Sequence, residues 1–161
     1  MNLRVGIGYD VHPFVADRPL VLGGVAVPSA RGLAGHSDAD ALAHAVADAL
    51  LGALALGDLG AHFPDTDPAY AGASSLGLLA RVRDLVGERG WSIGNVDATI
   101  VTEEPKLAPH VAAMRAGIAG ALRVDVERVS VKATRHEGMG AFGRGEGLAA
   151  MAVVLVHREN A

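Results

Sequence analysis

The chain has 161 residues, half of them hydrophobic and a fifth charged, with a formal net charge of −4, which suits one soluble domain with a substantial core and no more than one. No basic run is present, so neither nucleic acid nor a membrane surface is an expected partner. There is no cysteine, which excludes a disulfide framework, a thiol nucleophile and thiolate metal ligands and agrees with a reducing cytoplasm.

In chain order, Leu3 to Gly8 reads as a short buried strand with no secretion-signal core before it, and the expected location is cytoplasmic. Leu20-Val21-Leu22 and Val25-Ala26-Val27, around Gly23-Gly24, read as a β-hairpin. Ser37 is the expected N-cap of a helix running to about Leu54, with Asp38 and Asp40 in its first turn, where the helix dipole favours negative charge. Its apolar stretch, Ala41 to Leu56, is interrupted by His44 and Asp48 and is too short to span a bilayer. Gly57 to Ala73 reads as loop. Ser74 or Ser75 begins a second helix, with Leu79, Val82 and Val86 at helical spacing and Gly90 as its stop. Val96 to Thr102 reads as a strand. Pro109 suits the first turn of a third helix, with Val111, Met114, Ile118 and Leu122 on its inner face. Val129 to Ala133 and Leu148 to Val156 read as strands flanking a glycine-rich stretch, Gly138 to Gly147, whose end, Gly143 to Gly147, also reads as a flexible hairpin connection. With no repeat or linker, residues 1–161 read as one α/β (α+β) sandwich, a mixed sheet with helices mainly on one face.

Asp10-Val11-His12 is the most informative local pattern. In an extended segment Asp10 and His12 point to one face, because side chains alternate with period two. Alone, they read more readily as a turn residue and a partly exposed imidazole. His44 sits on an apolar helix face with Asp40 and Asp48 one turn away on either side. It reads either as a satisfied core histidine or as a metal ligand whose second nitrogen is held by an outer carboxylate. A carboxylate and two imidazoles from two elements make a three-ligand set with one open position, the pattern of catalytic zinc. His36-Ser37 precedes the same helix. A helix N-terminus with free N–H groups suits a phosphate, although capping alone also accounts for Ser37.

Asp58-Leu59-Gly60 and Phe63-Pro64-Asp65-Thr66-Asp67 form an acidic loop that by itself reads as a solvated turn. Lys132-Ala133-Thr134-Arg135-His136-Glu137 leaves a strand carrying cations, a hydroxyl and a carboxylate. Gly138-Met139-Gly140-Ala141-Phe142-Gly143 matches G-x-G-x-x-G formally, but a strand follows it, whereas the dinucleotide fingerprint opens a helix. The P-loop, nucleophile-elbow and H-E-x-x-H patterns are absent.

Taken in order, Gly8-Tyr9-Asp10-Val11-His12, then His36-Ser37-Asp38-Ala39-Asp40 through His44, then Gly57-Asp58-Leu59-Gly60 and Phe63-Pro64-Asp65-Thr66-Asp67-Pro68 resemble the 2-C-methyl-D-erythritol 2,4-cyclodiphosphate synthase family. Asn95-Val96-Asp97, Pro105-Lys106 with Pro109-His110, Val131-Lys132-Ala133-Thr134 and Gly143-Arg144-Gly145-Glu146-Gly147 continue the likeness, which runs from about Arg4 to about Val156. The resemblance implies a ferredoxin-like fold and a homotrimer with active sites between neighbouring subunits. It implies conversion of 4-diphosphocytidyl-2-C-methyl-D-erythritol 2-phosphate, a small cytidine diphosphate substrate, into the cyclic diphosphate with release of CMP, in the non-mevalonate isoprenoid route. One zinc per subunit would be held by Asp10, His12 and His44, with the substrate β-phosphate at the open position. Magnesium or manganese would lie between the α- and β-phosphates, with Glu137 as a ligand.

By the same resemblance, His36 and Ser37 would contact phosphate, Asp58 and Gly60 a sugar or polyol part, and Phe63, Asp65 and Asp67 the methylerythritol end. Thr102, Lys106, Leu107 and Ala108, with Ala133 and Thr134, would form the cytidine pocket, completed by a neighbouring subunit. His36 and Arg135 are the catalytic candidates, and an isoprenoid diphosphate would fit a central trimer cavity near Arg144. The nucleophile is the substrate's own 2-phosphate, largely dianionic at neutral pH because its second pKa is about 6, so no protein nucleophile is required.

The chain departs from the family at Arg135-His136, where relatives carry threonines, and at Ala141-Phe142, where they read Phe-Thr. Arg135 either supplies a cationic donor to the phosphate under attack or points away and leaves that contact to backbone N–H groups. Two other readings share the ligand set: a zinc phosphohydrolase, and a trimeric isoprenoid diphosphate-binding module that has lost turnover.

Overall fold

In a computed structural model describing residues 2–158, the first strand runs well past Gly8: β1 spans Asn2–Ala16. Its partner explains the extension. The last strand, β7 (Gly147–Arg158), pairs antiparallel with β1 without a break from Asn2↔Arg158 to Pro13↔Gly147, so Asp10-Val11-His12 lies inside the ladder rather than in a turn. Beyond it, Phe14 to Ala16 pair with β4 (Arg31–Leu33), a strand too short to leave a pattern in the sequence.

The hairpin forms as expected, β2 (Leu20–Leu22) against β3 (Val25–Val27), with Gly23 and Gly24 both at positive φ in its turn. The long helix is α1 (Ala41–Ala53), and its cap is Asp40, not Ser37. Both residue types cap well; tertiary contact decides. The Asp40 carboxylate is fully buried and accepts from Ala43 N in its own helix and from Gly23 N and Gly24 N of the hairpin turn, at 2.7–3.0 Å. The helix N-terminus is therefore sealed against the hairpin.

The segment from Gly57 to Ala73 is not all loop. Asp58 caps a single turn, α2 (Leu59–His62), and Asp67 caps a 3-10 turn at Pro68–Tyr70. Helix α3 (Ser75–Glu88) buries Leu79, Val82 and Val86 as expected. Strand β5 (Ser92–Val101) begins earlier than the pattern suggests, across a bulge at Ile93/Asn95. Pro109 lies in a 3-10 turn, Ala108–His110, ahead of α4 (Val111–Leu122), rather than in the helix itself. Met114, Ile118 and Leu122 are buried there, Val111 only partly. After β6 (Val129–Thr134) the glycine-rich stretch carries a further turn of helix, α5 (Gly140–Gly143).

The main sheet has the order β4-β1-β7-β5-β6 and is mixed: β5 and β6 run parallel, and the other pairs are antiparallel. Helix α1 lies across β1 and β7 and is backed by α3, while α4 leans on α3 and β6. Buried on nearly every side, α1 is apolar all round apart from His44 and Asp48. It can come this close because Gly6 and Gly8 face it. A Cβ on Gly6 would lie 1.8 Å from Ala49 O, and one on Gly8 1.9 Å from Ala45 O.

Among the described residues nothing covers the opposite face of the sheet at β1 and β7. Leu3, Val5, Ile7, Tyr9 and Val11 of β1 point outward beside Met151 and Val153 of β7, with Ile7 71% exposed. Among the described residues no helix is long and apolar enough to cross a membrane. The glycine contact gives a direct test. Gly8→Ala is expected to lower unfolding free energy, measured by urea titration, by more than about 3 kcal/mol, the upper end of ordinary overpacking, because the obstacle is helix backbone.

Candidate functional site

The contact of α1 with Gly6 and Gly8 carries forward into chemistry. Two residues along a strand advance about 6.6 Å, and four residues along a helix about 6 Å. Gly6 meets Ala49 and Gly8 meets Ala45, so the next inward position, Asp10, falls near the N-terminal turn that carries His44. Asp10 Oδ2 lies 2.8 Å from His12 Nε2 and 3.0 Å from His44 Nδ1. The three ligand atoms all lie within 4.8 Å of one another. Sequence spacing thus identifies a set that the fold brings together.

The second nitrogens of both imidazoles are engaged. His12 Nδ1 donates to Ala34 O at 2.6 Å, and His44 Nε2 lies 2.8 Å from Ser75 Oγ. With those nitrogens protonated, His12 Nε2, His44 Nδ1 and Asp10 Oδ2 turn three lone pairs toward one point. Such an arrangement calls for a cation among the three atoms, either a proton on a ring nitrogen or a metal ion, and the donor set fits a divalent metal of zinc type. Where the ring nitrogens facing Asp10 carry the protons instead, burial pushes its carboxyl up, but hydrogen bonds from the two imidazoles outweigh burial and hold the group well below the usual carboxylate range. Asp10 in turn raises His12 above its ordinary value, against burial.

The outer carboxylate expected beside His44 is neither Asp40 nor Asp48. Asp40 caps α1, and Asp48 accepts from Leu59 N at 2.7 Å, with burial pushing its carboxyl up. Instead Asp38, from the segment before α1, accepts from Ser75 N at 3.1 Å and from the Ser75 hydroxyl.

A cavity of about 600 Å³ opens over the metal set, lined by Asp10, His12, His36, Ser37 and His44 on one side and by Asp58, Gly60, Phe63 and Asp65 on the other. Asp67 is not among its lining residues; it caps the adjoining 3-10 turn. Asp48, Leu59, Tyr70 and Leu78 also line the cavity. Tyr70 packs edge-on against Phe63, a role with no local signature. Arg18 carries none either: it donates to Gly35 O and Ser37 O at 2.5 and 2.7 Å, fixing the backbone around His36.

Thr102, Lys106, Leu107, Ala108, Ala133, Thr134 and Arg135 line a separate, smaller cavity of about 230 Å³ at the ends of β5 and β6. Thr102 is buried there, donating from its hydroxyl to Glu104 O. Glu103 organises the adjoining loop. It accepts from Arg135 at 2.9 Å, from His136 N at 3.1 Å and from Gly138 N at 3.3 Å. The Arg135 guanidinium is thus engaged with a carboxylate and holds Glu103 below its ordinary pKa. Glu137 is exposed at positive φ and lines neither cavity. Arg144 pairs with Glu146 at 2.6 Å. A third cleft, of about 650 Å³, lies between α3, α4 and the start of β5 and contains no part of the metal set.

The YgbB family model matches residues 3–157. The chain belongs to the YgbB family. A 2-C-methyl-D-erythritol 2,4-cyclodiphosphate synthase from Thiobacillus denitrificans is 60% identical to this YgbB-family chain over 157 residues, covering 98% of each. The bifunctional IspDF of Campylobacter jejuni superposes with a TM-score of 0.95 at 42% identity; the match covers 99% of this chain and 43% of that one. The CDP complex of IspF from Plasmodium falciparum gives a TM-score of 0.87 at 30% identity over 99% of this chain and 98% of its own.

For this YgbB-family chain, His44→Ala is expected to abolish stoichiometric zinc uptake in equilibrium dialysis while its far-UV circular dichroism stays that of the parent.

Proposed function

We propose that this chain is a 2-C-methyl-D-erythritol 2,4-cyclodiphosphate synthase, forming the cyclic diphosphate from 4-diphosphocytidyl-2-C-methyl-D-erythritol 2-phosphate and releasing CMP in the non-mevalonate isoprenoid route. The observation that carries this reading is the convergent Asp10–His12–His44 set at the floor of a cavity, in a chain whose relatives of that name match it end to end. An oxygen of the 2-phosphate attacks the β-phosphorus. A new P–O bond forms, the bond to the bridging oxygen breaks, and CMP departs with that oxygen.

Zinc held by Asp10, His12 and His44, one per subunit, would polarise a phosphate oxygen and template the fold-back of the substrate. The rest of the work is positioning. His36 and Ser37, on backbone held by Arg18, hold the phosphates. Asp58, Gly60, Phe63 and Asp65 enclose the polyol, and Asp67 fixes the turn beside them. Holding two phosphates of one molecule together can contribute about 7–11 kcal/mol, so the chain needs no nucleophile of its own. The second cavity takes the cytidine, bounded by Thr102, Lys106, Leu107 and Ala108 and by Ala133 and Thr134. Glu137 would serve as a ligand of magnesium or manganese, which would neutralise charge on the diphosphate. Glu103 engages the Arg135 guanidinium and the backbone N–H groups of His136 and Gly138 together, so a phosphate contact from this loop would have to displace that carboxylate.

The assembly is a homotrimer of single-domain, ferredoxin-like subunits in the cytoplasm. Two features support it. The metal cavity and the nucleotide cavity share no lining residue, and β1 and β6 stand three strand spacings apart, about 14 Å; a neighbour's pocket can complete the site. The uncovered apolar face of β1 and β7 also supports a partner surface there. An isoprenoid diphosphate would bind in the central cavity, near Arg144.

Incubation of the purified protein with the cytidylyl substrate, Zn²⁺ and Mg²⁺ is expected to release CMP and cyclic diphosphate in equal amounts, followed by ³¹P NMR. CMP with an open-chain bisphosphate would make the protein a phosphohydrolase. No turnover of the authentic substrate would leave a binding module.

A further inference from the structure

Ser75 is the first residue of α3, is 1% exposed, and lines neither of the two cavities assigned to substrate. A hydroxyl buried so completely must be satisfied, and its partners form a chain. The Asp38 carboxylate receives both Ser75 N and the Ser75 hydroxyl. Ser75 Oγ faces His44 Nε2 at 2.8 Å, and Ser37 Oγ lies 3.3 Å from the same nitrogen. A hydroxyl has one proton to give, and a carboxylate can only accept. With that proton committed to Asp38, Ser75 Oγ meets His44 as an acceptor. The hydrogen of the His44 ring then lies on Nε2, and the lone pair lies on Nδ1, the nitrogen 3.0 Å from Asp10 Oδ2.

We propose that Asp38 and Ser75 are positioning residues for His44: the carboxylate orients the hydroxyl, and the hydroxyl fixes the tautomer and rotation of the ring so that Nδ1 is presented to the metal. This is the carboxylate–histidine–metal arrangement with a serine inserted between carboxylate and ring. It also joins the N-terminus of α3 to the metal centre, because the same carboxylate takes the Ser75 backbone N–H. The proposal rests on the metal reading of Asp10, His12 and His44.

The test compares the parent protein, Ser75→Ala and Asp38→Asn. Zinc affinity is measured by competition with a chromophoric chelator, and the His44 ring N–H of the zinc-loaded proteins by ¹H–¹⁵N NMR. Ser75→Ala is expected to bind zinc about 10- to 100-fold more weakly, the usual cost of losing an outer partner of a metal-bound histidine, and its Nε2–H signal is expected to broaden through solvent exchange. Asp38→Asn keeps the shape but frees the hydroxyl to rotate, and should shift both readings in the same direction; it carries the test alone if Ser75→Ala does not fold. A packing role alone would lower thermal stability and leave the ring signal unchanged. Parent-like zinc affinity and a parent-like ring signal in the folded variants would overturn the positioning role while leaving the metal site intact. Absence of zinc binding in the parent would remove the metal reading, and the positioning role with it.

Discussion

Everything at this site depends on how closely one helix approaches one strand. Gly6 and Gly8 leave no side chain between β1 and α1, and helix carbonyls occupy the space where Cβ atoms would be. Dense packing makes such a contact unforgiving. Because the strand advances by two residues as the helix advances by about four, Asp10 and His12 continue the inward face that the glycines begin, and His44 arrives opposite them. The same alternation turns Leu3, Val5, Ile7, Tyr9 and Val11 outward, onto the uncovered face. One strand therefore supplies helix contact, two members of the candidate ligand set and an exposed apolar face.

The electrostatics follow from that geometry. Three acceptor atoms converge only because each ring has its other nitrogen engaged, His12 by a backbone carbonyl and His44 by a hydroxyl. When the facing ring nitrogens carry protons instead, their hydrogen bonds overcome burial at Asp10 and keep it ionised. Around this centre the chain spends its other acidic residues on backbone: Asp40, Asp58 and Asp67 cap helical turns, and Asp48 receives Leu59 N. The acidic loop is thus structural as well as a cavity wall, holding Phe63 and Asp65 over the metal set.

How much of this was legible in the sequence depended on the range of the interaction. Asp10-x-His12 and an imidazole on an apolar helix are local patterns with a fixed period; they nominated the ligand set, and the family resemblance singled it out. The paired glycines announced the hairpin, and helical spacing identified Leu79, Val82, Met114 and Ile118 as core. Ser37 and Asp40 are both good caps, and only the hairpin's N–H groups, brought close by the fold, decide for Asp40. The Asp38–Ser75 and Glu103–Arg135 contacts join residues 37 and 32 apart, with no pattern to announce them. Arg135 is the clearest case. From sequence it stood as a catalytic candidate, with a side chain turned away as the alternative; in the fold Glu103 engages it and gathers the backbone N–H groups of His136 and Gly138.

The central claim is that strand and helix together present two imidazole nitrogens and one carboxylate oxygen to a single metal ion. X-ray absorption at the zinc edge of the loaded protein tests it most directly. The account requires two histidine nitrogens with the rest of a four-coordinate shell made of oxygen, at about 2.0–2.2 Å. A shell of oxygen alone, or one containing a single imidazole, would contradict it.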